Sequence, residues 1–205
     1  MKHPHYDEIM DCLDTNWAAF LRYIEIFPVP IPLVTVTDTP YVVKALDLDG
    51  LILSGGNSLT EYTDETDSCY NMACMRDNFE KALLTAALSH GMPILGVCRG
   101  IQLINVYYNG QLSKIAGHAG TRHDLIAESP DYENRLPREI NSFHNFAIRR
   151  ENLGQGLIAL AHDTENNVEA FYHPLDKILG MMWHPERETQ WVKQDCNLVR
   201  GHFGI

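Results

Sequence analysis

The apolar run Pro93-Ile94-Leu95-Gly96-Val97 passes without a turn residue into Cys98-Arg99-Gly100, where a helical stretch reaching to about Tyr108 begins. A buried strand feeding straight into a helix is a strong constraint, because that junction belongs to sheets covered by helices. The rest of the chain alternates in the same way. Tyr6, Ile9, Leu13, Trp17, Phe20, Leu21 and Ile24 recur every three or four residues, which predicts an amphipathic first helix. Residues 27–36 read as an extended, proline-interrupted strand and its exit, and residues 40–46 as a short helix. Leu51-Ile52-Leu53 is a buried strand ending in Ser54-Gly55-Gly56, and a long helix is expected from about Ser68 to His90, stopped by Gly91. Strand-like runs follow at 139–146, 157–161, 168–172 and 178–183, then a C-terminal helix over 187–200. The polar stretch 115–137, with Gly, His, Asp and Pro scattered through it, reads as a loop or lid rather than core. The expectation is one domain over residues 1–205, an α/β sandwich with a mostly parallel sheet.

Composition removes several classes of function. A net charge of −11 argues against nucleic acid, whose binding needs a basic surface to displace counterions. No apolar run approaches the roughly 18–20 residues that span a bilayer. The N-terminus is polar and carries no signal-like apolar stretch, so a cytoplasmic protein with no membrane partner is expected. The five cysteines are odd in number and form no CxxC pair, which speaks against a disulfide framework. His118, His123 and His162 lack ligand spacing, and there is no phosphate loop or dinucleotide fingerprint. Neither a metal nor a cofactor is expected.

Three segments carry chemistry. Gly96-Val97-Cys98-Arg99-Gly100 has the form of a nucleophile elbow with cysteine as the nucleophile. A tight strand-to-helix turn pushes Cys98 out above the sheet, and the glycines on either side let the backbone pass closely. The helix that starts at Arg99 aims its dipole at the sulfur and favours thiolate, while the Arg99 N–H is placed to donate to an oxyanion. His184-Pro185-Glu186 ends the strand over 178–183. A side-chain period of two lets His184 and Glu186 point the same way, so the imidazole can take the thiol proton and the carboxylate can orient it. The glycines Gly55 and Gly56 also follow a strand, and their N–H groups can form the second half of an oxyanion hole. Locally each segment has a plainer reading, as a buried cysteine, a surface His-Pro turn and an ordinary turn.

Taken together the blocks resemble a known family. Gly96-Val97-Cys98-Arg99-Gly100-Ile101-Gln102, followed by Asn105-Val106, is similar to the elbow of γ-glutamyl hydrolases (the peptidase C26 branch) in the class I glutamine amidotransferase-like superfamily. Ser54-Gly55-Gly56, Arg76-Asp77-Asn78-Phe79-Glu80, Asn141-Ser142-Phe143-His144 and Met182-Trp183-His184-Pro185-Glu186 match further blocks in the same order, over roughly residues 5 to 200. The resemblance implies a flavodoxin-like three-layer α/β sandwich and a Cys98–His184–Glu186 triad acting through a γ-glutamyl thioester. It also implies that Gln102 and the segment Asn141, Ser142, Phe143 and His144 hold the glutamate end of a small γ-glutamyl substrate. No cofactor is implied, and a homodimer is left open.

A narrower resemblance concerns the first helix. Tyr6-Asp7-Glu8 followed by Cys12-Leu13-Asp14, Trp17 and Phe20-Leu21 looks like the start of the γ-glutamyl-CDP-amidate hydrolases of capsule phosphoramidate synthesis. Arg76, Arg122, His123 and Arg135 are candidates to meet a diphosphate, although solvated surface charge is the plainer reading of each. The chain departs from the broader family in three places. No apolar strand precedes the first helix, the stretch after the elbow (107–112) lacks a double glycine, and His144 is followed by Asn145-Phe146 rather than a second histidine and a glutamine. The last two weaken a γ-glutamyl-γ-aminobutyrate substrate. A glutaminase subunit serving a synthetase, and a catalytically dead binding module, are the other two readings.

Overall fold

The computed structural model describes residues 10–33 and 35–205. Its parallel core is a layer of three strands, β1 (Leu51–Leu53), β2 (Ile94–Val97) and β10 (Ile178–Met181), with β2 in the middle. Beyond β10 the sheet continues antiparallel through β9 (Asn167–His173). That strand pairs in turn with β8 (Ile158–His162) and, at its start, with β7 (Phe146–Arg149). β3 (Ser113–Lys114) extends β7, and β5 (Ile126–Ala127) extends β8. A separate two-stranded ribbon joins β4 (Ala119–Asp124) to β6 (Glu139–Phe143).

Two cores form on the two faces of the parallel layer, because successive residues of a strand point to opposite sides. Leu95, Val97, Leu179 and Met181 pack under α1 (Thr15–Tyr23) and α6 (Lys193–Phe203), through Trp17, Phe20, Leu21, Cys196 and Val199. Ile94 and Ile178 face α2 (Thr39–Leu46), α3 (Tyr70–Ser89) and α4 (Arg99–Tyr107). On that second face Gly96 and Gly180 lie side by side in register. A Cβ on either would sit 2.6 Å from the Ile104 or the Ile101 side chain, so both glycines are needed for α4 to pack this closely on the strands.

Several expected elements shift. α1 starts at Thr15, capped by Asp14, which accepts from the Asn16 N–H. The expected helical residues Tyr6 and Ile9 lie outside the described residues, and Leu13 is exposed. Asp11, instead of continuing a helix, accepts from the Leu33 N–H at 2.7 Å. Among the described residues of 27–36 there is no strand. Pro28, Pro30 and Pro32 lack the N–H that a ladder requires, and Phe27 is largely exposed. The long and elbow helices fall where expected, within about two residues. The run over 139–146 is two strands, β6 and β7, and the C-terminal helix begins later, after a short 3-10 turn over Pro185–Arg187. The stretch 115–137 is not a loop: it contains β4, β5 and α5 (Pro130–Glu133), and Leu136 is buried in the core. Its residues Ala-Gly-Thr-Arg-His-Asp in β4 hide the strand because they show almost no apolar alternation.

Candidate active site

β2 ends on Cys98, which adopts φ 51° and ψ −100° before α4 begins. For a residue other than glycine this is a strained conformation, and it is held by surrounding structure. The Cys98 N–H donates to Met181 O at 2.9 Å, tying the turn to β10. Gly100 is pressed against β1 so tightly that a Cβ there would lie 2.0 Å from Leu53 O. The elbow is thus wedged between β1 and β10.

β10 runs on to His184, which is 1% exposed. Its Nδ1 lies 2.6 Å from Glu186 Oε1, so Nδ1–H donates to the carboxylate and Nε2 is turned outward. Burial alone would depress this imidazole. Hydrogen bonds to Cys98 and to Glu186 outweigh it and push the group up to about 9. Gly55 completes the meeting point. A Cβ there would stand 2.5 Å from His184 Cε1 and 3.5 Å from Cys98 Cβ, so only glycine leaves both side chains their places.

The loop after β1 is oriented from behind. Arg76 donates to Ser54 O at 3.1 Å and Gly55 O at 3.0 Å, and its Nε meets Glu80 at 2.6 Å. Because N–H and C=O point opposite ways across a trans peptide, the N–H groups of Gly55 and Gly56 face away from Arg76. Arg99 is buried and ion-paired with both Asp77 and Glu80 from α3, which fixes the first turn of α4. Burial lowers its pKa, partly offset by Glu80. Arg76, half-buried, is thus committed to the loop after β1 and to Glu80 rather than to a diphosphate. Arg122 is committed to Glu139 and Glu188, and Arg135 lies over the Tyr132 ring.

The segment Asn141–His144 splits by strand alternation. Asn141 clamps the His184 backbone: its Oδ1 accepts from His184 N–H at 2.9 Å and its Nδ2 donates to His184 O at 2.8 Å. Phe143, 42% exposed, sets its ring edge-on to His184 with centroids 5.7 Å apart, under the Arg187 guanidinium. Ser142 and His144 turn to the other side, where Ser142 Oγ donates to His118 O at 2.6 Å. There His118, His123, His144 and Glu169 bring their ligand atoms within 4.8 Å of one another. The expectation that His118, His123 and His162 are scattered is corrected for the first two, while His162 lies apart, with Nδ1 3.1 Å from Ile126 O and 3.3 Å from Glu128 Oε1. Sequence spacing gave no sign of the group because its members come from four different segments. Gln102 sits one turn into α4 with its amide donating to Phe146 O at 3.0 Å. The α3 block Arg76-Asp77-Asn78-Phe79-Glu80, noted in the sequence only as a family block, supports the site through contacts residue-by-residue reading did not assign; the signal was an Arg-Asp-x-x-Glu pattern whose acids fall on the buried face of a helix.

A cysteine beside a protonated, carboxylate-held imidazole, with two sets of N–H groups nearby, can perform acyl transfer through a thioester. The comparisons with known proteins place the chain among amide-bond hydrolases. The peptidase C26 family model matches residues 1–186. A γ-glutamyl-CDP-amidate hydrolase of Campylobacter jejuni is 35% identical over 202 residues, covering 95% of this chain and 92% of the relative. A glutamine-hydrolysing GMP synthase component from Archaeoglobus fulgidus is 28% identical, covering 74% of this chain and 73% of its own. Among solved structures, a protein of Thermoplasma acidophilum provisionally assigned as a GMP synthase component superposes with a TM-score of 0.68 at 22% identity, over 92% of this chain and 85% of that one. This last likeness concerns the fold. No described helix is long and apolar enough to cross a membrane.

Proposed function

This chain belongs to the peptidase C26 family and is an amide-bond hydrolase, and on that premise we propose that it hydrolyses γ-glutamyl-CDP-amidate through a Cys98–His184–Glu186 triad. The reading of the triad rests on one observation above the rest: His184 Nδ1 is held 2.6 Å from Glu186 Oε1 beside Cys98, a setting that pushes the imidazole up to about 9. In the proposed cycle the Cys98 thiolate attacks the γ-carbonyl carbon, and the carbonyl electron pair moves onto oxygen. The N–H groups of Arg99, Gly55 and Gly56 receive that oxyanion. Collapse expels the amide nitrogen, which takes the proton from His184 Nε2 and leaves a γ-glutamyl thioester. Water then attacks the thioester carbon while His184 takes its proton, and glutamate leaves as the sulfur is freed. Phe143 and Gln102 are the candidates to line the substrate, and Asn141 holds His184 in place.

The choice of substrate follows the likeness to the Campylobacter jejuni enzyme, which spans both chains almost end to end. The likeness to the glutamine-hydrolysing part of GMP synthase favours a second reading, a glutaminase that acts on free glutamine. Glutamate release from γ-glutamyl-CDP-amidate, γ-glutamyl-γ-aminobutyrate, γ-glutamyl dipeptides and free glutamine separates them. A preference of at least about tenfold in kcat/KM for the CDP-amidate is expected, with loss of turnover in Cys98→Ala. Preference for free glutamine would move the assignment to the second reading, and normal turnover in Cys98→Ala would remove the triad.

A further inference from the structure

We propose that His118, His123, His144 and Glu169 form a closed binding site for one divalent transition-metal ion, zinc by the chemistry of its ligands, that fastens the β4–β6 ribbon to the main sheet. His118 precedes β4, His123 lies in it, His144 follows β6, and Glu169 comes from β9 of the main sheet. Their ligand atoms converge within 4.8 Å, and Glu169 Oε1 stands 3.9 Å from His123 Nε2 and 3.8 Å from His144 Nε2. A tetrahedral zinc with bonds of about 2.0–2.1 Å needs ligand separations of roughly 3.3 Å. The two Glu169 pairs therefore need to close by about half an ångström and the widest pair, at up to 4.8 Å, by about 1.5 Å, a movement side-chain rotations can supply.

Every one of these atoms is buried and lacks a hydrogen-bond partner: His118 Nδ1, His123 Nε2, His144 Nε2 and both oxygens of Glu169. Buried polar atoms are almost always satisfied, and five failures at one point are not an accident of packing. The far side of each ring explains which atom is offered. His144 Nδ1 is 2.9 Å from Phe146 O and His123 Nδ1 is 3.3 Å from Asp124 O, so those nitrogens carry the protons. That leaves both Nε2 atoms as bare lone pairs. His118 is turned the other way, with Nε2 3.6 Å from Asp163 and Nδ1 facing inward. A second partner on the outer nitrogen of each ring is the arrangement that orients metal-bound histidines. Asp163 is itself held by the Asn167 side chain and by the N–H groups of Glu165 and Asn167.

The donor set is three imidazoles and one carboxylate. Nitrogen-rich sets of this kind select zinc and its first-row neighbours over magnesium or calcium, which prefer oxygen. Glu169 and Asp163 together would neutralise a doubly charged ion. Four protein ligands leave no open position, so the role is structural. The metal would stiffen the ribbon from behind while Asn141, on its opposite face, grips His184.

The test uses the intact protein. Elemental analysis of chain purified without chelator is expected to find one zinc per chain. After the metal is stripped, titration with zinc chloride should restore one equivalent and raise Tm. Glu169→Gln and His144→Ala should weaken zinc binding by at least about a hundredfold, and Asp163→Asn, which leaves all four ligands, by about tenfold. Cys98→Ser, which removes the thiol from the active site, should bind zinc as the wild type does. Zinc binding that survives Glu169→Gln unchanged, that vanishes in Cys98→Ser, or that leaves the wild-type Tm unmoved would each overturn the proposal. Asp163→Asn with a wild-type far-UV spectrum keeps the test independent of misfolding, and no arm of it depends on which amide is cleaved.

Discussion

Two histidine–carboxylate groups lie on opposite faces of β6, and they are chemical opposites. Glu186 and Glu169 are each 1% exposed. Glu186 receives the His184 Nδ1–H at 2.6 Å, and the imidazole is pushed up to about 9. Glu169 has no donor, so burial, then Asp163, raises it well above the usual carboxylate range. Its neighbour His144 moves the other way, held down to about 4 by burial and by His118. Residue types and depth are the same. What differs is the sharing of protons: one pair holds a proton between its members, while the other group directs several lone pairs at one point and leaves it to a cation to fill. Burial alone therefore does not say what a histidine does; the direction of its second nitrogen does.

The sharpest way to break this contrast is to delete one imidazole from each group. His184→Ala is expected to lower kcat by about a thousandfold or more, because the triad acts as a unit. His144→Ala should lower Tm, and single-turnover chemistry by the folded fraction should fall less than tenfold. Equal losses of chemistry in both variants would erase the distinction.

Glu186→Gln tests the proton. Since a raised imidazole pKa favours the folded, charged form, the stability from this pair is complete below the ordinary histidine value and is lost as pH rises through about 9. The same ionisation should set an alkaline limb in kcat/KM near pH 9. In Glu186→Gln the limb should move down, with a rate loss of about a hundredfold. An unmoved limb would mean that another group titrates there.

Asp195 is an intermediate case. It accepts one hydrogen bond, from Trp183 Nε1 at 3.0 Å, and burial, partly offset by that bond, raises it to about 7. Here the folded state holds the proton more tightly, so stability should fall as pH climbs from the ordinary carboxylate range through 7. Asp195→Asn should flatten that slope, a change on the order of 1 kcal/mol in urea-unfolding free energy between pH 5 and 8. A slope unchanged by the substitution would show that other groups produce it.

Two members of the proposed triad, Cys98 and His184, were legible because each follows an apolar strand, and an apolar strand is visible at short range. Cys98, His184, Gly55 and Gly56 follow β2, β10 and β1, and the structure sets Cys98, His184 and Gly55 against one another. Glu186 was found through strand periodicity, yet it lies in a 3-10 turn, where Pro185 has already ended the strand. The metal-like group was hidden for the opposite reason. Its histidines are polar residues in or beside a ribbon with little apolar alternation, Glu169 comes from β9 of the main sheet, and they meet only through pairings such as Thr121 with Ser142 and His123 with Ile140. Long-range register of that kind leaves no local trace in the chain. The segment 141–144 was legible as a block but not in its roles, because alternation sends Asn141 and Phe143 to one side and Ser142 and His144 to the other.

The close approach of Gly100 to Leu53 O has a bearing on how new specificities could be bred into this scaffold. With no room for one added carbon between Gly100 and Leu53 O, the position of the elbow beside β1 is fixed by main chain alone. Libraries that vary the elbow would yield mostly inactive proteins. The variable ground is the rim: Phe143 and Arg187 stack at the surface, and their side chains can change size and charge without moving a single atom of the nucleophile's turn.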